Sequence, residues 1–324
     1  MAPISTILII YLLNENHLPK VPSNPNCLTA TLRDILMSIE ARERRQPWIL
    51  LSPALTAITL LLFVPLLFIV VYSFWLRTAT GADQSGFFLD NWREALSDPF
   101  YRDILLFTLK IAAITTLVCA VMGYPAAYFI ARSRGNKAVL LLLLMLPFWI
   151  SYIIRTMSWI NILGVSGALN TFLIWTGVIS EPIQMLYNQT TVILGLVHFL
   201  LPFMILNVFV SLDGIDVTLE DAATSLGATR WEAFVQVTLP LSLPGLAAGG
   251  LLCFVLAAGT YITPLVLGGP TDAMFANLVY EAIITQLNWP LGSALSLMLL
   301  AVLGLLVMIY NRYLGMAQLM KGLG

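Results

Sequence analysis

The chain has 324 residues, of which 59% are hydrophobic and only 10% charged, with a formal net charge of -1. An ordinary soluble domain carries about 25% charged residues, so this inventory cannot cover a water-facing surface, and lipid must be the solvent for most of the chain. The near-neutral charge leaves no general attraction to nucleic acid, and three scattered cysteines (Cys27, Cys119, Cys253) supply neither a disulfide framework nor a metal-ligand spacing.

Residues 1–47 form an expected cytoplasmic N-terminal extension. The run ISTILIIYLL is too short to cross a bilayer, and the Pro- and Asn-rich NENHLPKVPSNPN that follows reads as loop. Met37 opens MSIEARERRQPW, a natural start for a short tail, so residues 1–36 are expected to be dispensable or a misassigned start.

Beyond this, charges punctuate long apolar runs. The gaps Arg45–Arg77, Lys110–Arg132, Lys137–Arg155, Glu181–Asp213, Glu232–Asp272 and Glu281–Arg312 contain no charged residue. A helix needs about 20 apolar residues to cross the hydrocarbon, which predicts six spans near 50–75, 107–131, 138–158, 190–210, 245–267 and 291–311. The runs lack the alternation of a barrel strand, so the expected fold is all-α and integral to the membrane. In domain terms, 48–76 is the first span, 77–106 a periplasmic loop, 107–315 the core and 316–324 a tail. Basic residues set the orientation: Arg42, Arg44 and Arg45, then Arg132, Arg134 and Lys137, then Arg312 and Lys321 all fall on one side, which places both termini in the cytoplasm. Trp48, Trp75, Trp92, Trp149, Trp159 and Trp289 fall near predicted boundaries, as interfacial belt residues do.

Titratable residues within or beside spans are candidate pathway residues. Arg155 lies near the outer end of span three, where it either snorkels to the interface or lines the pathway. His198 in span four is read as a hydrogen-bonded packing residue in preference to a proton relay, because no second titratable group lies within a turn. Glu281 and Asp272 are the acids after span five; either could meet a cation at the outer mouth, and Asp272 reads as a solvated loop charge. Breaks at Gly123-Tyr124-Pro125, Pro147, Pro202, Gly259 and Pro264 mark bends around a pathway or ordinary kinks. Residues 268–290 form an expected outer loop with a short helix.

One cytoplasmic loop departs from the positive-inside trend. Residues 211–243 carry Asp213, Asp216, Glu220, Asp221 and Glu232 against Arg230 alone. Thr218 with Asp221 approximates a capping box and Thr229 with Glu232 completes one. Leu219, Ala222, Ala223 and Leu226 make one helical stripe, and Gly227 stands where a C-cap belongs. A second helix starts at Arg230, with Trp231, Phe234 and Val235 on one side, and is expected to stop at Pro240. The loop is therefore a helix-turn-helix hairpin between spans four and five. Its apolar stripe either packs on its own spans or inserts into a partner's groove.

The stretch DAATSLGATRWEAFVQVTLP resembles the signature of binding-protein-dependent ABC importer permeases: Glu-Ala-Ala, three residues, Gly, nine residues, Ile, one residue, Leu-Pro. Asp221, Ala222, Ala223, Gly227, Val237, Leu239 and Pro240 take those positions, with Asp for Glu and Val for Ile, while Glu220, Arg230 and Trp231 flank them. LPFWISYIIRTMSWINILG, VHFLLPFMIL, TPLVLGGP and LNWPLGSALS are similar to permeases of the spermidine/putrescine group. The resemblance covers about residues 48–315. It implies the type I importer permease fold, with 218–240 as the coupling helix on an ATPase dimer. It also implies a second homologous permease, an extracytoplasmic solute-binding protein, and a polyamine or similar small polar solute.

Catalytic chemistry is not in evidence. No G-x-x-x-x-G-K-[S/T], H-E-x-x-H, G-x-S-x-G or Cys/His cluster occurs, so no cofactor, metal or catalytic residue is expected and ATP hydrolysis falls to a partner. The alternative, an ion-coupled secondary transporter, calls for paired titratable groups at the bilayer midplane.

Overall fold

The computed structural model describes residues 51–314 apart from Ala79 and Arg134; the expectations for 1–47 and 316–324 lie outside the described residues. The chain divides into two units, Met1–Leu67 and Phe68–Gly324. Six helical segments are long and apolar enough to cross a membrane: Leu51–Tyr72, Pro99–Arg132, Tyr152–Trp175, Gln189–Asp213, Arg230–Gly259 and Trp289–Arg312. The all-α membrane class follows from that set, with one minimal antiparallel pair, β1 (Leu76–Arg77) and β2 (Asp83–Gln84), beside it.

In chain order the helices are α1 (Leu51–Tyr72), α2 (Asp90–Ser97), α3 (Pro99–Arg132), α4 (Lys137–Met145), α5 (Tyr152–Leu163), α6 (Ala168–Trp175) and α7 (Gln189–Asp213). Then come α8 (Val217–Ser225), α9 (Arg230–Ala233), α10 (Leu239–Gly259), α11 (Ile262–Leu267), α12 (Phe275–Tyr280) and α13 (Trp289–Leu314). α3, α7 and α10 pack pairwise and enclose the main core, in which Ile111, Cys119, Leu196, Leu200, Met204, Val208 and Ala257 are fully hidden. Small residues permit this approach, since lipid tails give no hydrophobic drive between helices. A Cβ on Gly245 would stand 2.6 Å from the Asn207 carbonyl oxygen, so α10 crosses α7 backbone to backbone there. A second cluster joins α2, α3, α12 and α13 through Ala95, Leu105, Phe275 and Leu295.

Three spans differ from the sequence expectation, the fifth running over Arg230–Gly259 in place of 245–267. α3 starts at Pro99, inside the stretch read as a loop, because Asp98 caps it (Phe100 N donates to Asp98 Oδ1, 2.9 Å) and Pro99 suits the first turn. At 1.5 Å per residue its 34 residues span about 50 Å, longer than the hydrocarbon, so an exposed charged turn with Arg102 and Asp103 fits at one end. The third span is not at 138–158: the segment long enough to cross is Tyr152–Trp175, which carries Arg155. α4 tightens into a 3-10 turn at Leu146–Trp149, Ile150 and Ser151 are extended, and α5 restarts at Tyr152. Pro147 has no N–H to continue the ladder, and the gap of 17 uncharged residues was the shortest of the six. Pro125 and Pro202, by contrast, lie inside unbroken helices.

Candidate functional site

The loop after α7 folds into the expected hairpin. Asp216, not Thr218, is the N-cap of α8, accepting from the Thr218 amide at 2.9 Å, and these bonds hold its exposed carboxyl below the usual carboxylate range. Gly227 ends the helix with φ +99°, a conformation open to glycine and costly to most other residues. Thr229 and Glu232 then form the complete capping box: the Thr229 N–H donates to Glu232 Oε2 (2.7 Å) and the Glu232 N–H to Thr229 Oγ1 (3.3 Å).

Pro240 does not stop the second helix. α9 runs through a π-turn at Phe234–Thr238 directly into α10, and Pro240 sits in the first turn of that segment. The wider turn carries an i to i−5 bond from Leu239 N to Phe234 O, which re-registers the ladder where the proline lacks its donor. The hairpin is therefore joined rigidly to the fifth span.

The two helices of the hairpin divide the alternatives left by the sequence. The second packs at home: Ala233 is buried and the Phe234 ring meets Tyr124 and Tyr128 edge-on at 5.8 and 5.6 Å. The first keeps its stripe bare, with Leu226 91% exposed and Leu219 and Ala222 exposed beside it; Ala223 is half-buried. Trp231, 71% exposed, stacks on Phe234. Asp221 and Arg230 are exposed too, whereas Val237 and Leu239 are half-buried.

Glu220 faces inward. Its carboxylate pairs with the Arg132 guanidinium at the end of α3 and accepts from Thr238 Oγ1 (2.6 Å) in the π-turn. Arg132 also donates to the Ile215 carbonyl at 3.4 Å. Lys137 Nζ bonds Asp213 Oδ1 at 2.6 Å, a second tie between the ends of α4 and α7. Tyr124 Oη and Ser242 Oγ, 2.7 Å apart, link α3 to α10 just below.

The candidate pathway residues fall in two places. Arg155 is 8% exposed, and α5 turns it against α7. Its guanidinium carbon lies 5.0 Å from the Phe148 ring centre and 5.7 Å from that of Phe199. Its Nε and Nη1 have no hydrogen-bond partner among the described residues. His198 is nearby on α7 and half-buried; its Nδ1 accepts from Trp159 Nε1 at 3.2 Å. Glu281 is elsewhere, exposed at the start of a π-turn (Glu281–Thr285) after α12. It borders a cleft of about 650 Å³ walled by Tyr187, Pro264, Leu265, Asn277 and Tyr280. Asp272 is no solvated loop charge: it is 5% exposed, and its Oδ2 accepts from Gly269 N (2.9 Å), tying a turn that lines the cleft. Tyr187 precedes α7 and the hairpin follows it, so cleft and hairpin lie at opposite ends of a helix about 37 Å long.

No protein-family model matches the chain. Against individual proteins, it is 38% identical over 256 residues to the spermidine/putrescine transport system permease protein PotB of Salmonella typhimurium strain SL1344. That alignment covers 79% of this chain and 89% of the relative. The Escherichia coli K12 protein of the same name is 37% identical, with 79% and 93% covered. The E. coli inner membrane ABC transporter permease protein YdcU is 33% identical, with 67% and 74% covered. The chain belongs to the ABC transporter permease family. The fold of this permease is also that of a bacterial ABC transporter involved in import of the acidic polysaccharide alginate, at TM-score 0.68, 18% identity, and coverage of 85% of this chain and 97% of that one.

Sequence reasoning placed the permease's hairpin but missed what fastens it. Arg132 was read as an orientation charge, and neither Thr238 nor Ser242 carried any signal. The two π-turns were equally silent, since nothing in a five-residue composition separates them from α-helix.

Proposed function

We propose that the chain is one of two homologous permeases in a bacterial inner-membrane importer, forming half of a solute pathway for a polyamine or similar small polar solute. A separate ATPase dimer docks on α8 and the loop to α9 at the cytoplasmic face, and a soluble solute-binding protein docks outside. Both termini face the cytoplasm, and lipid surrounds the spans. The observation that carries this reading is a bare apolar stripe on a hairpin rigidly continuous with a membrane span. Movement of a partner seated on Leu226 and Ala222 is transmitted to α10 through the π-turn, and to α3 through Glu220 and Arg132. The PotB relatives at 37–38% identity support the choice of solute. Arg155 is a hidden cation, so a polyamine is not expected to travel along its guanidinium; Glu281 is the better of the candidate pathway residues.

The test is recovery of the ATPase subunit on the tagged permease. Gly227 is a poor choice of variant, because any side chain there strains φ as well as crowding the surface. Leu226→Asp and Ala222→Arg change exposed atoms only. Each is expected to reduce ATPase recovery and uptake at least about tenfold, as loss of a central apolar anchor does. Wild-type recovery in both variants would rule out docking on this face.

A further inference from the structure

The cleft beside Glu281 has a chemistry that the coupling reading does not use. We propose that it is a receiving site for one ammonium end of a flexible aliphatic di- or polyamine, with Glu281 as its counter-charge and Tyr280 and Tyr187 as aromatic wall. This rests on the polyamine reading above and deepens it. Four observations meet here. First, Glu281 is the sole acidic or basic residue among the described residues lining the cleft, and the one described group its charge is seen to act on is the Tyr101 hydroxyl. Second, the rest of the wall suits a methylene chain: Pro264, Leu265, Pro270 and Ala273 are apolar. An aliphatic polyamine needs both surfaces, since each ammonium is separated from the next by a greasy spacer. A volume of about 650 Å³ lies within the range of small-molecule sites.

Third, the aromatic wall is held in place. The Tyr280 ring stacks on Tyr261 with centres 5.0 Å apart and planes 14° from parallel, leaving the pair as one rigid plate. Ring faces attract ammonium groups, most strongly where water is displaced. Fourth, the backbone is shaped at a cost. Tyr187 has φ +62°, a left-handed conformation rare for a bulky residue, and its N–H is tied to Leu267 O at 3.1 Å. Glu281 itself opens a π-turn, a form that recurs at functional sites. An exposed glutamate on an ordinary outer loop would need none of this. The nearby Asn277 is not available for the ligand: Nδ2 donates to Tyr261 O (2.9 Å) and Oδ1 accepts from Met274 N (3.0 Å), so it braces the wall.

The experiment uses the complete transporter in proteoliposomes, with labelled putrescine and spermidine at graded concentrations. Glu281→Gln is expected to lower kcat/KM for uptake about tenfold, the loss of one charge-assisted contact. Glu281→Asp restores part of that, and Tyr280→Leu, which keeps apolar bulk without a ring face, lowers kcat/KM severalfold. Recovery of the ATPase subunit on each tagged variant separates failed assembly from failed binding; if Glu281→Gln does not assemble, Glu281→Asp and Tyr280→Leu decide. Assembled variants all within about twofold of wild type would overturn the assignment. A wild-type complex that moves neither amine would instead overturn the polyamine reading, and with it the ligand assigned to the cleft.

Discussion

Glu220 and Arg155 are both largely hidden charges, and they differ in what faces them. Glu220 meets a guanidinium and a hydroxyl; its side chain and that of Arg132 are 20% and 16% exposed. Such a pair, shielded and doubly bonded, is worth more than the usual surface bridge. Arg155 has only ring faces for two of its nitrogens, a costly arrangement inside a bundle. Next to the exposed Asp221, Glu220 looks in sequence like one more docking charge; in the fold it is an anchor. Glu220→Gln keeps the hydroxyl contact and removes the ion pair. It is expected to speed hydrogen exchange of the α8 amides about tenfold, an opening free energy smaller by one charge-assisted bond. Leu226→Asp, by contrast, should leave exchange unchanged while losing the ATPase. Unaltered protection in Glu220→Gln would return that residue to the docking surface. The motif spacing around Asp221, Ala222, Ala223 and Gly227 was legible because it is local. The partner of Glu220 lies 88 residues back, and a single sequence carries no trace of that pairing.

Among the elements, length and hydropathy located spans well and breaks poorly. Charge-free runs located five of the six spans, because the desolvation penalty of a charge acts along the whole hydrocarbon; the third, Tyr152–Trp175, carries Arg155 and lies mostly beyond its run. Where a helix tightens, widens or stops depends instead on neighbours: Pro125 and Pro202 pass unmarked through packed helices, while Pro147 ends one. The outer end of α3 was hidden for a related reason, since Arg102 and Asp103 look like loop charges until the helix is seen to outrun the bilayer. The α7–α10 crossing was likewise invisible as a contact, though Gly245 and Gly249 are plain in the sequence. There, Gly245→Ala would push a methyl against the Asn207 carbonyl oxygen and the Ser211 side chain. Over-packing of this kind costs about 1–3 kcal/mol, and the expected result is a lower melting temperature in detergent. Gly304→Ala is the control: its added Cβ meets nothing within 4 Å, so the melting temperature should hold or rise slightly. Equal effects from the two would mean that the crossing is not tightly packed.

At the scale of the whole molecule, the two proposed working surfaces lie at opposite ends of α7, and which partner can reach each surface depends on which end faces the cytoplasm. The assignment comes from charge: Arg132 and Lys137 share a side with the hairpin, while the cleft end carries Glu281 and Asp272. The hairpin's own acids argue the other way, and the contacts explain why they do not prevail. Glu220 and Asp213 are neutralised in place by Arg132 and Lys137, so part of the loop's negative charge is spent within the fold. The buried Cys119 and Cys253 should be silent to a water-soluble thiol reagent, and replacing Cys27 by serine clears the rest of the background. Single cysteines at exposed Leu226 and Thr271 then report the two ends. In intact spheroplasts a membrane-impermeant maleimide is expected to label Thr271→Cys and spare Leu226→Cys; in inverted vesicles the pattern reverses. Labelling of Leu226→Cys from outside would turn the molecule over, removing the hairpin from reach of any cytoplasmic ATPase and the cleft from reach of incoming solute.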